Sequence, residues 1–338
     1  MMDFSEFTDY VKKHITEHLP PDYAAADIRL DEVQKMNERY TGMTVRLEDK
    51  ISAPVINMEM FYQQYQGDRP ISVLMKDMAD IVQMEPPASI DIESMKDYEK
   101  VKDKLFIRLN SAEGHEQIMA ESPHRMEADL LMTYHIYIPD REGDGGFMSA
   151  RITNDMMKEF GISQEQLHQD AIESTEQILQ PKVQSMMEAL TGIPEENPQM
   201  MVVTNEQGVL GASALFCNGI MDKAAEHMNG NYFVLPSSIH EMLVVPDNGS
   251  FNRTDLEAMV KEANRTVVEP SDRLSDAVYH YDSKDRVFER ADTFEKRIQE
   301  KSAERGSILG KLQDKKEQIE RTAPGIGQNK QRQAGLAI

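Results

Sequence analysis

Apolar residues recur along the chain with two different periods, and each period predicts a different element. Spacings of three and four residues, typical of a helix with one buried face, predict helices at residues 3–18, 71–84, 164–179, 182–192, 220–229 and 254–267. Runs rich in β-branched and aromatic residues predict strands at residues 26–37, 43–49, 104–110, 128–140, 146–153 and 276–282, with a further sheet region at 199–218. From Asp285 onward the charged sequence predicts helix.

Strands and helices are interleaved, and a glycine-rich turn joins two of the strands as a hairpin. This order predicts an α+β fold with mixed or antiparallel sheets, packed helices and a charged C-terminal helical tail. The expected regions are an N-terminal α+β region at 1–110, a central and C-terminal α+β region at 111–284, and a basic helical or disordered tail at 285–338. The pattern leaves open whether the first two regions are one continuous domain.

A cluster of polar residues interrupts the apolar pattern at Ser237, Ser238, His240 and Glu241. Ser238 stands three residues before Glu241, the spacing of a capping box, which predicts one helical turn from Ser238 to Met242 between two strands. These side chains would then bind main-chain amides. A catalytic site is the alternative, but a nucleophilic serine of a hydrolase is expected on a glycine-flanked turn, and neither flank here is glycine. The sequence favours the structural interpretation.

Two further motifs resemble metal sites. His14 and His18 match the H-x-x-E-H pattern of some zinc peptidases and would share one face of an α-helix. Residues 140–145 (DREGDG) resemble the start of an EF-hand loop, but Arg151 occupies the position of its bidentate glutamate. The histidines lack an evident third ligand. The sequence therefore predicts no metal and no other cofactor, with the histidine pair as a weak candidate.

Charge is distributed unevenly along the chain. The formal net charge is −22, which disfavours binding of the body to a nucleic-acid backbone. Residues 296–338 hold ten Lys/Arg and five Asp/Glu, which leaves −27 on the first 295 residues. This contrast predicts that the basic tail is a separate segment, able to dock on an acidic surface.

The sequence also favours a cytoplasmic location. No apolar run reaches the roughly 18 residues that a membrane helix needs. The N-terminal residues contain acids among the apolar positions, unlike a secretory signal. Cys217 is the one cysteine, so an internal disulfide is excluded. We expect neither membrane attachment nor secretion.

Several stretches along the chain resemble one uncharacterised family: KMNERYTGMTVR, ISAPVINMEMFYQQYQGD, SPHRMEADLLMTYHIYI, ITNDMMKEFGISQEQLHQDAIE and VVTNEQGVLGASALF with NYFVLPSSIHEMLVVPD. The family is a bacterial domain of unknown function, frequent on integrative and conjugative elements of gut anaerobes. The resemblance covers roughly residues 1–285. The fourth stretch is also similar to a second uncharacterised bacterial family, which implies a shared fold. The resemblance implies no catalytic residue.

Three functions remain as hypotheses. The favoured one is a non-enzymatic cytoplasmic accessory protein of a mobile genetic element, acting through protein contacts, with the tail at 296–338 as a docking segment. The first alternative is a hydrolase or transferase with a pocket around Ser237, Ser238, His240 and Glu241. The second is an acidic mimic of nucleic acid that inhibits a nuclease, because the body is so strongly negative.

Overall fold

The structure is a computed structural model of the whole chain. It describes residues 1–35, 38–48, 53–84, 94–139 and 147–322. Met1–Arg290 form one compact unit, and the chain from Ala291 onward forms a second. Within the described residues, the strands assemble into three sheets in which all paired neighbours are antiparallel. The predicted α+β fold is therefore confirmed.

The N-terminal part of the first unit packs helices against a small sheet with the strand order β1-β2-β3. Phe7, Val11, Met43 and Met75 are buried together in its core. Asn57 accepts the Met60 amide at 3.0 Å and so begins the second helix directly after a strand. The elements are α1 (Phe4–His14), β1 (Asp27–Lys35), β2 (Glu38–Arg46), β3 (Val55–Asn57), α2 (Met58–Gln66) and α3 (Ile71–Val82).

The rest of the first unit contains the other two sheets. In the first of these sheets, β6 is the central strand and pairs with β4, β5 and β7. The second sheet has the strand order β13-β12-β10-β11-β9-β8. The elements are α4 (Tyr98–Val101), β4 (Leu105–Ser111), α5 (Glu116–Glu121), β5 (His124–Glu127), β6 (Leu130–Pro139), β7 (Phe147–Arg151), α6 (Asn154–Phe160), α7 (Gln164–Leu179), β8 (Pro181–Ser185), α8 (Met186–Thr191), β9 (Met201–Asn205), α9 (Ile220–Met228), β10 (Tyr232–Ser238), β11 (Glu241–Pro246), α10 (Arg253–Thr266), β12 (Tyr279–Asp282) and β13 (Val287–Arg290).

Helix α7 packs against both the apolar core and strand β4. Ser163 accepts the Gln166 amide at 3.1 Å and caps the helix, which begins at Gln164 as predicted. Leu167 is fully buried. Thr175 Oγ1 accepts the Ile107 amide at 3.0 Å, which satisfies an N–H at the outer edge of β4. The helix therefore covers an edge strand as well as the apolar core.

Several predicted elements differ in the structure. The prediction of a helix at 182–192 is wrong for its first half, since Pro181–Ser185 pair with β9 as strand β8. The prediction of a sheet region at 199–218 is wrong for the residues after β9, because Gly211–Phe216 form a 3₁₀ helix. Val287–Arg290 pair with β12 instead of forming helix. In each case, the alternative structure satisfies backbone groups through a neighbour or a tight turn, which local periodicity does not reveal.

The second unit begins with α11 (Ala291–Thr322). This helix confirms the charged C-terminal helix that the sequence predicts. None of the helices in the described ranges is both long enough and apolar enough to cross a bilayer.

Candidate functional site

The predicted polar cluster lies at the tip of the β10–β11 hairpin. Ser238 and Glu241 are cross-strand partners, and Ile239 with His240 forms the loop between the strands. The hydroxyl of Ser237 donates to Glu241 Oε1 at 3.0 Å, and Ser238 Oγ accepts the His240 amide at 3.0 Å. Both serine side chains are therefore bound within the hairpin itself.

Neighbouring segments hold this loop through its main chain and its imidazole. Thr204 Oγ1 donates to the His240 carbonyl at 2.8 Å, and the Leu210 amide donates to His240 Nδ1 at 3.2 Å. Gly211 lies so close that a Cβ there would be 2.5 Å from the same carbonyl. Leu210 has a φ of 54°, a conformation that bulky residues rarely adopt. These contacts join the hairpin tip to the 3₁₀ helix after β9.

His240 also faces Asp272, and its hydrogen bonds fix its tautomer. Because Nδ1 accepts the Leu210 amide, the proton of the neutral ring is on Nε2, which lies 3.6 Å from Asp272 Oδ2. The Ile239 amide donates to the Asp272 carbonyl at 2.8 Å. Together, the contacts of residues 204–211 and Asp272 with the loop form the hairpin clasp.

The predicted helical turn from Ser238 to Met242, with its capping box, is therefore wrong. A capping box and a two-residue hairpin loop both separate their partners by three residues, so this spacing does not distinguish them. Pairing of β10 with β11 carries both strands up to the loop. Ser238 and His240 do bind main-chain amides, whereas Ser237 and Glu241 bind each other.

The N-terminal histidine pair spans two kinds of helix. α1 ends at His14, and a 3₁₀ helix from Ile15 to His18 follows. The prediction that this α-helix continues to His18 is thus wrong for its last turn. Because a 3₁₀ helix has three residues per turn, a spacing of four no longer aligns the two rings. His14 Nδ1 instead contacts Glu17 Oε1 at 2.8 Å.

In the part of the chain that the structure describes, no three His, Cys, Asp or Glu side chains are grouped as a metal site would require. The EF-hand-like residues 140–145 lie outside that part. Cys217 is buried, and burial raises the pKa of its thiol to about 12. It packs as a small apolar residue.

A cleft of about 1240 Å³ opens at a different place in the first unit. Its lining comes from Arg39 on the β1–β2 hairpin, the loop at 111–116, helix α10, and residues 273–276. None of the four polar candidates at the hairpin tip lines it. This volume is sufficient for a peptide segment or a sizeable small molecule.

Charged side chains of both signs line the cleft. Lys261 on α10 and Arg273 beyond it supply positive charge, whereas Glu113 and Glu116 on the loop supply negative charge. Arg273 Nε donates to the Val268 carbonyl at 3.2 Å. Within the described residues, neither Lys261 nor Arg273 forms an ion pair with a carboxylate. The cleft therefore presents unneutralised charge to a ligand.

Buried polar atoms lie around the face of the β4–β6–β7 sheet that points away from the main core. Arg108, Asn110, His115, His135 and Arg151 each have a buried nitrogen or oxygen that finds no hydrogen-bond partner among the described residues. His115 also lines the cleft. Most buried polar atoms in proteins are paired. This region therefore has unused hydrogen-bonding capacity.

Burial changes the acidity of these groups. It lowers the pKa of Arg108 to about 10, an effect that the charge of Asp272 opposes. It also lowers the pKa of His115. Burial, with the positive charges of Arg108 and Arg151, holds the pKa of His135 far below its usual range. The histidines therefore favour the neutral form, and Arg108 retains its charge at a desolvation cost.

Sequence reasoning missed Arg108, His115, Lys261, Asp272 and Arg273 as candidates. They come from distant parts of the chain, and none belongs to a recognisable motif. One signal was available, because Arg108 interrupts the apolar run KLFIRLN of a predicted strand. A charge within a buried strand is unusual unless it is paired or functional.

Comparison with known proteins identifies a family of unknown function. The model of DUF5688, a family of unknown function, matches residues 4–283. The chain belongs to this family. No curated protein and no solved structure is significantly similar to it.

The DUF5688 match confirms the part of the sequence-based resemblance that concerns a domain of unknown function. It includes both the hairpin clasp and the cleft, and it ends before β13 and α11. The DUF5688 region therefore contains both sets of candidate residues.

Proposed function

We propose that this protein is a non-enzymatic cytoplasmic accessory protein that acts through protein contacts, and that the cleft receives a segment of its partner. The sequence resemblance supports a bacterial mobile genetic element as its setting. The basic tail at 296–338 supplies a second docking segment, because its charge is opposite to that of the body.

The unpaired charge of Lys261 and Arg273 carries this proposal. In a chain with a net charge of −22, basic side chains have many carboxylates available to them. These two nevertheless lie in a cleft of about 1240 Å³ without a carboxylate partner among the described residues. An arrangement of this kind favours a ligand that brings complementary charge.

A hydrolase or transferase at Ser237, Ser238, His240 and Glu241 receives less support. In the described part of the chain, neither serine hydroxyl is hydrogen-bonded to the His240 ring, and the ring itself is occupied by the clasp. A serine nucleophile needs an adjacent base to remove its proton. The hydrogen bonds at the hairpin tip therefore favour a structural role.

An acidic mimic of nucleic acid is the remaining alternative, and the net charge of −22 favours it. Such a mimic would bind a basic partner through carboxylates on its outer surface. Charge reversal within the cleft would then have little effect on binding. This difference separates the mimic from the proposed cleft-binding protein.

Affinity capture from the native host, with the full chain as bait, tests the proposal. Lys261→Glu/Arg273→Glu is compared with Lys158→Glu/Lys223→Glu, which reverses the same number of charges on exposed helix surfaces. We expect one partner to be lost with the first variant and retained with the second. A bait without residues 296–338 shows separately whether the tail contributes. Retention of every partner by both charge variants would contradict the assignment of the cleft, and a recovered nuclease would then favour the mimic.

A further inference from the structure

We propose that a second, smaller pocket of the first unit binds an organic cation, an ammonium or guanidinium group on an alkyl stem. This α7 pocket has a volume of about 410 Å³ and lies between helix α7 and the segment from Tyr98 to Asp103. It shares no lining residue with the larger cleft. The inference goes beyond the proposed function and does not depend on the role of the cleft.

Negative charge predominates in the α7 pocket. Lys102 supplies the one cation of its lining among the described residues, and its Nζ lies 2.7 Å from Glu99 Oε2. Within the same residues, the other carboxylates of the lining form no ion pair. They belong to Asp103, Asp170 and Glu173. The α7 pocket therefore presents negative charge that the chain itself does not neutralise.

Asp170 is fixed in orientation by two neutral donors. The Tyr98 hydroxyl donates to its Oδ2, and Gln166 Nε2 donates to its Oδ1 at 2.8 Å. Neither donor carries a positive charge that would offset the carboxylate. Asp170 is thus a preoriented anion in the lining of the pocket.

Ser174 provides a separate indication of a ligand. Gln166, Asp170 and Ser174 follow one another at spacings of four residues, on the face of α7 that lines the pocket. Ser174 is only 4% exposed, and its hydroxyl finds no hydrogen-bond partner among the described residues. A serine or threonine within a helix commonly donates to the carbonyl four residues earlier, as Thr175 donates to Ala171. The Ser174 oxygen is therefore an unused acceptor for an N–H group.

Tyr98 adds an aromatic ring to the lining. The ring is held by the bond to Asp170 and by packing against Phe160, with ring centroids 5.3 Å apart. Aromatic rings attract ammonium and guanidinium groups through cation–π interaction. A cation in this pocket would meet a fixed carboxylate, an unused hydroxyl and an aromatic ring.

These groups suit an organic cation better than a metal ion. In the described part of the chain, no three His, Cys, Asp or Glu side chains are grouped as a metal site would require. Calcium takes six to eight oxygen ligands, and magnesium demands near-ideal octahedral geometry. Ile162 also lines the pocket and is half-buried, so it offers an apolar contact to an alkyl stem. Lysine and arginine side chains and free polyamines share this chemistry.

A binding assay with the full purified chain tests the α7 pocket. The probe is a fluorescein-labelled glycine–serine peptide with a single lysine, measured by anisotropy at physiological ionic strength. We expect saturable binding that becomes about tenfold weaker or more in Asp170→Asn, because a charge-assisted hydrogen bond is lost. Glu226→Gln removes the same charge at an exposed position on α9 and should leave binding unchanged. A peptide with glutamine in place of lysine should not bind.

Ser174→Ala separates a ligand-binding role from a structural one. Alanine favours helix more than serine does, and the change removes a buried hydroxyl without a partner. We therefore expect a thermal midpoint equal to that of wild type or higher, together with weaker peptide binding. A lower midpoint would show that the hydroxyl is engaged within the protein and would contradict its assignment to a ligand.

The remaining outcomes decide whether the pocket, and which cation, is correct. Absence of saturable binding, or equal binding by wild type and Asp170→Asn, would overturn the proposal. Equal weakening by Asp170→Asn and Glu226→Gln would do the same, since it would indicate attraction to the net charge of the body. Displacement of the peptide by magnesium chloride at lower concentration than by spermidine or capped lysine would overturn the choice of an organic cation. If spermidine displaces the peptide at lower concentration than capped lysine does, the ligand is a free polyamine; the reverse order assigns it to a protein side chain.

Discussion

The backbone amide of Leu210 donates a hydrogen bond of 3.2 Å to Nδ1 of His240. This bond fixes the imidazole tautomer and places the Nε2 proton toward Asp272. It also holds Leu210 in a left-handed conformation with a φ of 54°, which costs roughly 1–2 kcal/mol for a residue with a bulky side chain. The histidine therefore stabilises an unfavourable turn, and its polar atoms are occupied by that task.

Removal of this imidazole should destabilise the fold. We expect His240→Ala to lower the free energy of unfolding by about 1–2 kcal/mol, because the Leu210 amide loses its acceptor and the ring loses Asp272. Urea denaturation measures the change. His227→Ala is the matched control, since His227 is exposed on α9, and it should stay within about 0.5 kcal/mol of wild type. Equal stability of the two variants would show that the clasp is unimportant to the fold.

Gly211 is the position of closest approach in the clasp. A Cβ there would lie 2.3 Å from Thr204 Oγ1 and 2.5 Å from the His240 carbonyl oxygen. We expect Gly211→Ala to lower the free energy of unfolding by about 1–3 kcal/mol, because the backbone must move to relieve the overlap. Gly67→Ala serves as the control, since its nearest contact would be an ordinary 3.4 Å. Thermal unfolding of both variants gives the comparison, and a Gly211 variant as stable as its control would contradict the close packing.

Buried histidines should make the protein less stable in acid. Burial holds the pKa of His135 far below its usual range and lowers those of His115 and His168. Below the unfolded value of roughly 6.5, the unfolded chain therefore binds protons that the folded chain does not. The stabilisation is present above that value and is lost as the pH falls.

We expect the free energy of unfolding to decrease between pH 7 and pH 5, with each such histidine contributing up to about 1.4 kcal/mol per pH unit. His135→Gln keeps a donor near Thr133 but does not titrate, so its slope should be smaller than that of wild type. His227→Gln, at an exposed position, should retain the wild-type slope. Identical slopes in all three proteins would contradict the assignment to His135. Urea titrations at several pH values provide the measurement.

The sequence predicts elements best where local signals agree. For α7, a serine cap, helical spacing and a following proline all indicate the same helix, and the structure forms it from Gln164 to Leu179. For β8, the local spacing favours helix, but pairing of residues 181–185 with β9 decides the outcome. The choice depends on a neighbour that local periodicity does not show.

The candidate site shows the same limit more strongly. Ser238 and Glu241 were identified from their spacing, yet the spacing is common to a helix cap and a hairpin loop. The cleft could not be predicted, because Glu113, Lys261 and Arg273 come to line it from distant parts of the chain only when the fold is assembled. Long-range packing, and not any local motif, creates both the unpaired charge and the clasp.

Reaction of the purified chain with a fluorophosphonate probe tests the central claim most directly. The claim is that the polar atoms of Ser237, Ser238 and His240 hold the hairpin tip and do not form a catalytic site. We predict that intact-mass analysis finds the protein unmodified, since an unactivated serine does not react. Stoichiometric modification of Ser237 or Ser238 that disappears in His240→Ala would contradict the claim and establish an activated nucleophile at this hairpin.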